Sequence, residues 1–332
     1  MQHQFIDRRT QTVRSERLFG DRVVRKIYAQ ARENAPQLFR ALTSRHVSTL
    51  LGFVNYDLPL GARLLGGHRF LRELGVDLSE CLDPPETLDT ARKVFERRIR
   101  YWECRPMPED PRVVVSPADA RVLVGSLAAQ SLLYIKDKFF DYEELLGRDK
   151  RACLAAFHDG DFALFRLTPD KYHYNHVPVS GRVVDFYAID GGYHSCNPAA
   201  VVALATPYSK NRRYVTIIET DVPGGSRIGV VAMIEVVALM IGEVEQCYSE
   251  ARYDDPRPIG PGMFVRRGQP KSLYRPGSST DVLLFERGRI DFDADIVTNM
   301  RRGGVTSRFT HGFGAPLVET DLAVRSSIAR AR

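Results

Sequence analysis

Runs of β-branched and aromatic residues recur through the middle of the chain, and segments rich in proline, glycine and aspartate separate them. Runs of this kind are typical of β-strands, and the segments between them are typical of turns. The runs that predict strands most clearly span residues 113–115, 122–124, 162–167, 214–218, 228–246 and 282–285. We therefore expect an α+β protein with a β-rich, mostly antiparallel core.

The N-terminal part of the chain has a helical pattern instead. Between residues 16 and 53, apolar side chains return every three or four positions, and lysine and arginine occupy the opposite face. The charged segment 86–103 predicts a further helix that enters the core. A basic amphipathic helix can lie on an anionic bilayer or pack against its own protein, and the sequence leaves both alternatives open.

These patterns divide the chain into three regions. We expect an N-terminal helical region with a surface for membrane contact over residues 1–105, the core over residues 106–300 and a basic tail over residues 301–332. The tail is polar and should be loosely ordered. The apolar run 228–242 contains Glu235 and is too short to span a bilayer, so it predicts a buried strand.

Composition argues against several classes of protein. With 44% hydrophobic and 27% charged residues, the chain has the composition of a soluble globular protein. Its five cysteines are widely spaced and include no C-x-x-C pair, which predicts reduced thiols in the cytoplasm and neither a disulfide framework nor a zinc site. The N-terminus lacks the apolar segment of a secretory signal. The net charge of +6 indicates an anionic partner, and an anionic membrane surface fits better than nucleic acid because no nucleic-acid motif accompanies the basic residues.

Candidate chemistry begins with an aspartate and two histidines. Asp119 lies in a Ser-Pro-Ala-Asp-Ala turn between two predicted strands, where an aspartate by itself usually caps backbone amides. His173 and His176 lie three residues apart in an irregular segment bounded by prolines. On a strand they would point to opposite faces, so two separate roles fit them better than a shared metal ion.

The most unusual candidate is the turn Gly277-Ser278-Ser279-Thr280, which lies directly before an apolar strand. A serine hydroxyl in such a turn can attack the carbonyl of the preceding residue and form an ester. If a base then removes the Cα proton, β-elimination and loss of ammonia leave a pyruvoyl group on the new N-terminus. Taken alone, the same residues are those of an ordinary hairpin turn.

Four segments together, in this order, resemble the phosphatidylserine decarboxylase family of pyruvoyl-dependent enzymes over roughly residues 94–289. Ser116–Ala120 is similar to the family's S-P-A-D-G, residues 172–181 to its Y-H-R-x-H-x-P-x-x-G, residues 208–213 to its F-x-x-N-E-R, and the serine turn to its G-S-T. The chain departs from these motifs at Ala120, Tyr174, Asn175, Arg212 and Ser278.

The resemblance implies a self-cleaving decarboxylase and a role for each candidate. Asp119 would orient His176, which would take the proton of the reactive serine, and His173 would handle protons during decarboxylation. Matching the Ser-Thr pair and the following strand makes Ser279 the pyruvoyl precursor, and we favour it. A glycine on the acyl side would instead select Ser278, because Gly277 best tolerates a strained backbone.

The cofactor implied is the pyruvoyl group made from an internal serine, without metal or pyridoxal phosphate. The substrate implied is phosphatidylserine, decarboxylated to phosphatidylethanolamine by a cytoplasmic enzyme held peripherally on an anionic membrane. The sequence is also compatible with a homodimer. Two alternatives stay open: a soluble pyruvoyl-dependent decarboxylase of a free amino acid or small amine, and a non-catalytic relative that serves as a binding protein.

Overall fold

The fold is that of a computed structural model, which describes residues 2–18, 76–128, 139–204, 206–238, 243–276 and 279–332. The helices were expected between residues 16 and 53, and residues 19–53 of this segment lie outside the described residues. The described strands are Gln4–Asp7 (β1), Thr12–Ser15 (β2), Val113–Val115 (β3), Ala120–Ser126 (β4), Asp161–Leu167 (β5), Tyr174–His176 (β6), Gly181–Ile189 (β7), Arg213–Glu219 (β8), Val230–Val237 (β9), Val244–Gln246 (β10), Phe264–Val265 (β11), Pro270–Tyr274 (β12), Ser279–Phe285 (β13), Ile290–Phe292 (β14), Thr320–Leu322 (β15) and Ser327–Ala331 (β16).

A ten-stranded sheet forms the centre of the protein, in the order β11-β7-β8-β9-β13-β5-β4-β15-β1-β2. Every pairing in it is antiparallel except that of β1 with β15. Two smaller antiparallel sheets have the orders β10-β12-β6 and β14-β16-β3. The prediction of a β-rich, mostly antiparallel α+β core is confirmed.

The apolar runs form the middle of the large sheet. All seven residues of β13 pair with β9 on one side and with β5 on the other. The run that begins at residue 228 supplies β9, as predicted, because valine, isoleucine and methionine fit a strand that is covered on both faces. Residues 282–285 of β13 are fully buried, which holds the strand that follows the serine turn in a fixed register.

Both ends of the chain also join this core. Strand β1 pairs with β15, β15 pairs with β4, and β16 pairs with β3. Leu317, Val318, Val324 and Ile328 are buried. The expectation of a loosely ordered tail after residue 300 was wrong, because short strands with few apolar residues gain their order from partners far away in sequence.

The described helices are short and lie outside the sheets: Ala91–Phe95 (α1), Tyr101–Cys104 (α2), Tyr142–Leu146 (α3), Arg151–Ala156 (α4), Pro198–Ala203 (α5), Pro207–Lys210 (α6), Ala294–Met300 (α7) and Arg308–Phe313 (α8). The single helix expected over residues 86–103 is wrong. It is divided into α1 and α2 because Ile99 forms a β-bridge with Cys81 and the Arg100 amide donates to the Glu80 carbonyl. Among the described helices, none is long and apolar enough to cross a membrane.

Candidate active site

The connection between β12 and β13 carries the predicted cleavage turn, and one neighbouring segment flanks both of its ends. At the first end, the Tyr274 amide donates to the His173 carbonyl at 3.1 Å. At the second end, Ser279 pairs with Leu167, the last residue of β5. Register therefore brings the His173 segment and Ser279 to the same edge of the core. Gly277 and Ser278 lie outside the described residues.

Ser279 is the first residue of β13 and is only 1% exposed. Its Oγ has no hydrogen-bond partner in the structure. A buried hydroxyl without a partner costs free energy, and Ser279 shares this state with a few other hydroxyls of the core, among them those of Thr216 and Thr320. Successive side chains of a strand point to opposite faces, so Asp281, two residues after Ser279, lies on the same face of the sheet as Ser279. Among the described residues, the hydroxyl of Ser279 is therefore buried and has no hydrogen-bond partner.

His173 is also buried and has one nitrogen without a partner. Its Nδ1 lies 2.8 Å from the carbonyl oxygen of Lys171, and a carbonyl can only accept, so Nδ1 donates. The Nε2 of the neutral ring is then a lone pair, and it has no partner. The ring stacks on Phe95, with centroids 3.5 Å apart. Burial holds the pKa of His173 well below its usual value, so the ring is a neutral base at neutral pH.

His176 has partners on both ring nitrogens. Nδ1 donates to the Gly268 carbonyl at 2.8 Å, and Nε2 lies 3.0 Å from the hydroxyl of Tyr172. The Tyr172 hydroxyl also lies 2.8 Å from that of Tyr253. Burial lowers the pKa of His176 to about 3, so this ring too is neutral and presents an Nε2 lone pair to Tyr172. The single hydroxyl hydrogen of Tyr172 can point either to His176 or to Tyr253.

The Asp119 carboxylate is held by groups that the motif does not contain. Nε and Nη2 of Arg105 donate to it at 2.9 and 2.8 Å, and the Val324 amide donates at 2.8 Å. Burial by itself would raise the pKa of Asp119, but the charge and hydrogen bonds of Arg105 outweigh burial and the pKa lies below its usual value. Asp119 is therefore an ionised, fully bonded carboxylate.

A direct contact between Asp119 and His176 was expected and is not present, because Arg105, Tyr172 and the Gly268 carbonyl occupy the positions where it would form. The two segments meet through the backbone instead, where the His176 amide donates to the Pro117 carbonyl at 2.7 Å. The structure thus brings the turn of Asp119 beside His176 and leaves the chemical role of the aspartate a prediction.

A buried polar network beneath the turn is the feature that sequence reasoning missed. Glu235 of β9 is fully buried, and its Oε2 accepts from Lys271 at 2.7 Å and from Gln246 at 3.1 Å. Its Oε1 accepts from Asn175 at 3.1 Å and from the Ser272 hydroxyl. Lys271 and Ser272 belong to β12, so the small sheet covers the face of β9 and β13 that carries Ser279. A glutamate inside an apolar strand was the signal that could have indicated this network.

The motif at residues 208–213 acts through its asparagine. Asn211 is buried, and its Nδ2 donates to the Val237 carbonyl at 2.8 Å and to the His194 carbonyl at 2.9 Å. Val237 lies directly opposite Ser279. Asn211 therefore fixes the end of β9 beside Ser279.

A second charged cluster lies on the other face of the sheet. His3, Glu16 and Glu319 bring three potential metal ligands within 4.8 Å of one another. Arg166 binds both glutamates, with its Nη2 2.7 Å from Glu16 and 2.6 Å from Glu319. Arg166 pairs with Thr280, so it points away from the face of Ser279. Because Arg166 already binds both carboxylates, we interpret the cluster as an ion-pair network rather than a metal site. The network joins both ends of the chain to β5.

Comparison with known proteins gives a consistent result. The family model described as phosphatidylserine decarboxylase matches residues 91–305. "Phosphatidylserine decarboxylase proenzyme 2" of Oryza sativa is 33% identical over 231 residues, which cover 68% of this chain and 34% of that protein. "Phosphatidylserine decarboxylase proenzyme" of Chlamydia trachomatis is 32% identical over 235 residues, or 70% of this chain and 72% of that protein. The protein of the same name from Ruminiclostridium cellulolyticum is 26% identical over 302 residues, or 90% of this chain and 93% of the relative. The chain thus spans about a third of the rice protein and nearly all of the clostridial one.

Proposed function

The chain belongs to the phosphatidylserine decarboxylase family, and we propose that it is a proenzyme that cuts itself at Ser279, or at Ser278, to make a pyruvoyl group and then decarboxylates phosphatidylserine to phosphatidylethanolamine. The observation that carries the proposal is the pair of unsatisfied buried atoms beside the predicted turn. The Oγ of Ser279 and the Nε2 of His173 are both buried, and neither has a hydrogen-bond partner among the described residues. The proposed nucleophile of the first reaction and the proposed proton-handling group of the second are thus held without competing hydrogen bonds.

The first reaction needs a base for the serine proton. His176 takes this role in the proposal, because its neutral ring has an Nε2 lone pair at neutral pH. Turning the Tyr172 hydroxyl from His176 to Tyr253 would free that lone pair without the loss of a hydrogen bond. The serine hydroxyl then attacks the preceding carbonyl, and the peptide becomes an ester. Removal of the Cα proton expels the carboxylate that becomes the C-terminus of the larger fragment, and water hydrolyses the resulting imine to the pyruvoyl group with loss of ammonia.

Asp119 supports this base indirectly. Its bonds to Arg105 and Val324 fix the turn whose Pro117 carbonyl accepts the His176 amide. The aspartate then sets the position of His176 through the backbone. Its negative charge also favours the protonated form of the His176 ring, which arises when the ring accepts the serine proton. His173, with its free Nε2, is the proton-handling group of the second reaction.

Ser279 is the residue that fits the pyruvoyl group, because its side chain is buried at the start of a strand and bonded to nothing. The pyruvoyl carbonyl supplies an electrophile for the substrate amine and accepts electrons when CO₂ leaves. The lipid substrate would be taken from an anionic membrane that the basic N-terminal region contacts, with the protein on the cytoplasmic side. A homodimer is compatible with this arrangement.

Intact mass of the purified protein tests the first step. We expect a C-terminal fragment that spans residues 279–332 or 278–332 and has a blocked N-terminus. Ser279→Ala and Ser278→Ala identify the nucleophile, because only one of them should stop cleavage. Ser126→Ala is the matched control, since Ser126 is a buried serine of β4 that is bonded to the Gly160 carbonyl at 3.2 Å and lies outside the site. A full-length species that persists on long incubation rules out self-cleavage and leaves the non-catalytic relative.

The second step is tested with the processed protein. It should release CO₂ from phosphatidylserine in anionic vesicles, and activity on vesicles should fall as salt rises, because the Debye length shortens from about 10 Å at 0.1 M. A variant that lacks residues 19–53 should lose more activity on vesicles than on a soluble short-chain substrate. Activity on a free amino acid, with none on the lipid, would replace this substrate with that of the soluble decarboxylase.

A further inference from the structure

Two buried polar side chains lie on opposite sides of the predicted cut. Tyr274 ends β12 and Asp281 is the third residue of β13. The Tyr274 hydroxyl lies 2.9 Å from the carbonyl oxygen of Thr280 and 2.7 Å from Oδ1 of Asp281. Tyr274 is 2% exposed and Asp281 is not exposed at all, so water does not compete for these hydrogen bonds.

The direction of these bonds follows from what each atom can do. The Tyr274 hydroxyl has a single hydrogen and two acceptors within reach, so the Thr280 carbonyl and an ionised Asp281 would have to share it. Both contacts are full hydrogen bonds only if Asp281 is a neutral carboxylic acid that donates to the hydroxyl oxygen. Burial, together with the charge of Glu235, raises the pKa of Asp281 well above its ordinary value, which agrees with a neutral acid. With Asp281 neutral, the bonds run from Asp281 to Tyr274 to Thr280.

The surroundings keep this short chain of hydrogen bonds in place. Glu235 lies directly opposite Asp281 on β9, and Lys271 of β12 neutralises its charge. On the other side, β5 presents the apolar ring of Phe165. The charged and titratable groups that face Asp281 are thus Glu235, Lys271 and Tyr274. No other described group bonds to Oδ2 of Asp281, so the carboxyl group depends on Tyr274.

We propose that Tyr274 and Asp281 are positioning residues that hold the first residue of the smaller fragment in place after the chain is cut. This inference rests on the self-cleavage proposed above. Cleavage before Ser278 or Ser279 leaves Tyr274 near the end of the larger fragment and puts Thr280 and Asp281 at the start of the smaller one. The end of a cut strand frays unless something binds it. The hydroxyl of Tyr274 binds the carbonyl of Thr280, one residue beyond Ser279, where a small displacement would move the reactive carbonyl.

The experiment compares Tyr274→Phe, Asp281→Asn and the double variant Tyr274→Phe/Asp281→Leu with the wild-type protein. The double variant replaces both polar partners by apolar groups of similar size, which is close to neutral for stability, so the fold should survive. Tyr142→Phe is the matched control, because this buried tyrosine outside the site also donates its hydroxyl hydrogen to a backbone carbonyl, that of Leu154. Intact mass measures cleavage, gel filtration in mild urea measures whether the fragments stay together, and CO₂ release measures turnover.

We expect all variants to be cleaved, and Tyr274→Phe and the double variant to release the small fragment at lower urea than wild type. Their kcat should fall roughly ten- to a hundredfold, since a displacement of about 1 Å at a reacting group can cost a hundredfold, while KM changes little. Asp281→Asn should keep most of the activity because its amide can still donate to Tyr274. If ionisation of Asp281 lowers the kcat of the wild-type protein at alkaline pH, this decrease should be absent in Asp281→Asn, because asparagine does not ionise.

The outcomes separate this inference from the function on which it rests. A wild-type chain that is never cut refutes both. A chain that is cut normally, with variants that match Tyr142→Phe in fragment association, kcat and pH profile, refutes the positioning role alone. A double variant that turns over like wild type also refutes it, because packing without hydrogen bonds would then suffice.

Discussion

Replacement of Arg105 by methionine tests whether Asp119 is held as the structure shows. The Arg105 side chain is 12% exposed and that of Asp119 is 8% exposed, so the pair is nearly buried. Removing one member of such a pair leaves the other charge uncompensated, which costs about 3–5 kcal/mol. The Val324 amide still donates to Asp119, so we expect the lower end, about 3 kcal/mol. Methionine keeps the length and apolar stem of the side chain, so the loss reports on the guanidinium group.

The measurement is urea unfolding in a background with alanine at residues 278 and 279, which keeps the chain in one piece. Arg14→Met is the control, because Arg14 pairs with Asp7 but is 54% exposed and such pairs contribute about 0–1 kcal/mol. Arg105 holds the pKa of Asp119 below its unfolded value, so this stability is present above about pH 4 and is lost as pH falls through the folded pKa. A loss under about 1 kcal/mol, or one that persists unchanged to low pH, would show that Arg105 does not stabilise the ionised aspartate.

Two further predictions use the other buried groups. Burial lowers the folded pKa of both His173 and His176, so below about pH 6.5 the unfolded chain binds protons that the folded chain does not. The free energy of unfolding should therefore fall by about 1.4 kcal/mol per pH unit for each ring as the pH is lowered, and His176→Gln should halve this slope. A urea midpoint that does not change with pH below about pH 6.5 would contradict the neutral rings. Lys271→Met should lower the free energy of unfolding by about 3–5 kcal/mol, because it leaves the Glu235 carboxylate buried without its partner. Lys93→Met, at an exposed pair, should lower it by under about 1 kcal/mol. Equal losses for the two variants in urea unfolding would contradict this prediction.

The sequence predicted those parts of the fold that local pattern specifies. Continuous apolar runs gave β9 and β13, and the motifs identified Asp119, His173, His176 and Ser279 as candidates. The partners of these residues could not be predicted in the same way. Arg105 reaches Asp119 from the residue that follows α2, and Val324 does so from the C-terminal tail, so the spacing of residues around Asp119 does not indicate either contact.

The tail shows the same limit at the level of strands. Residues 320–322 and 327–331 contain few apolar side chains, and a strand of three to five residues shows too little alternation to distinguish it from a loop. Their order comes from pairing with β1, β4, β3 and β14, which only the folded chain brings near. The helix expected over residues 86–103 failed for the same reason, since the bridge between Ile99 and Cys81 outweighs local helix propensity.

The way the tail is built into the sheets would let the protein remain one body after the proposed cut. The fragment that begins at residue 278 or 279 contains β13, β14, β15 and β16. Strand β13 lies between β9 and β5 with seven paired residues on each side, and β15 lies between β4 and β1. Strand β16 lies between β14 and β3, and β3 comes from the larger fragment. The proposed cut would therefore break one covalent bond between β12 and β13 and leave these strand pairings in place, so a new N-terminus could form inside the core without release of the fragment that carries it.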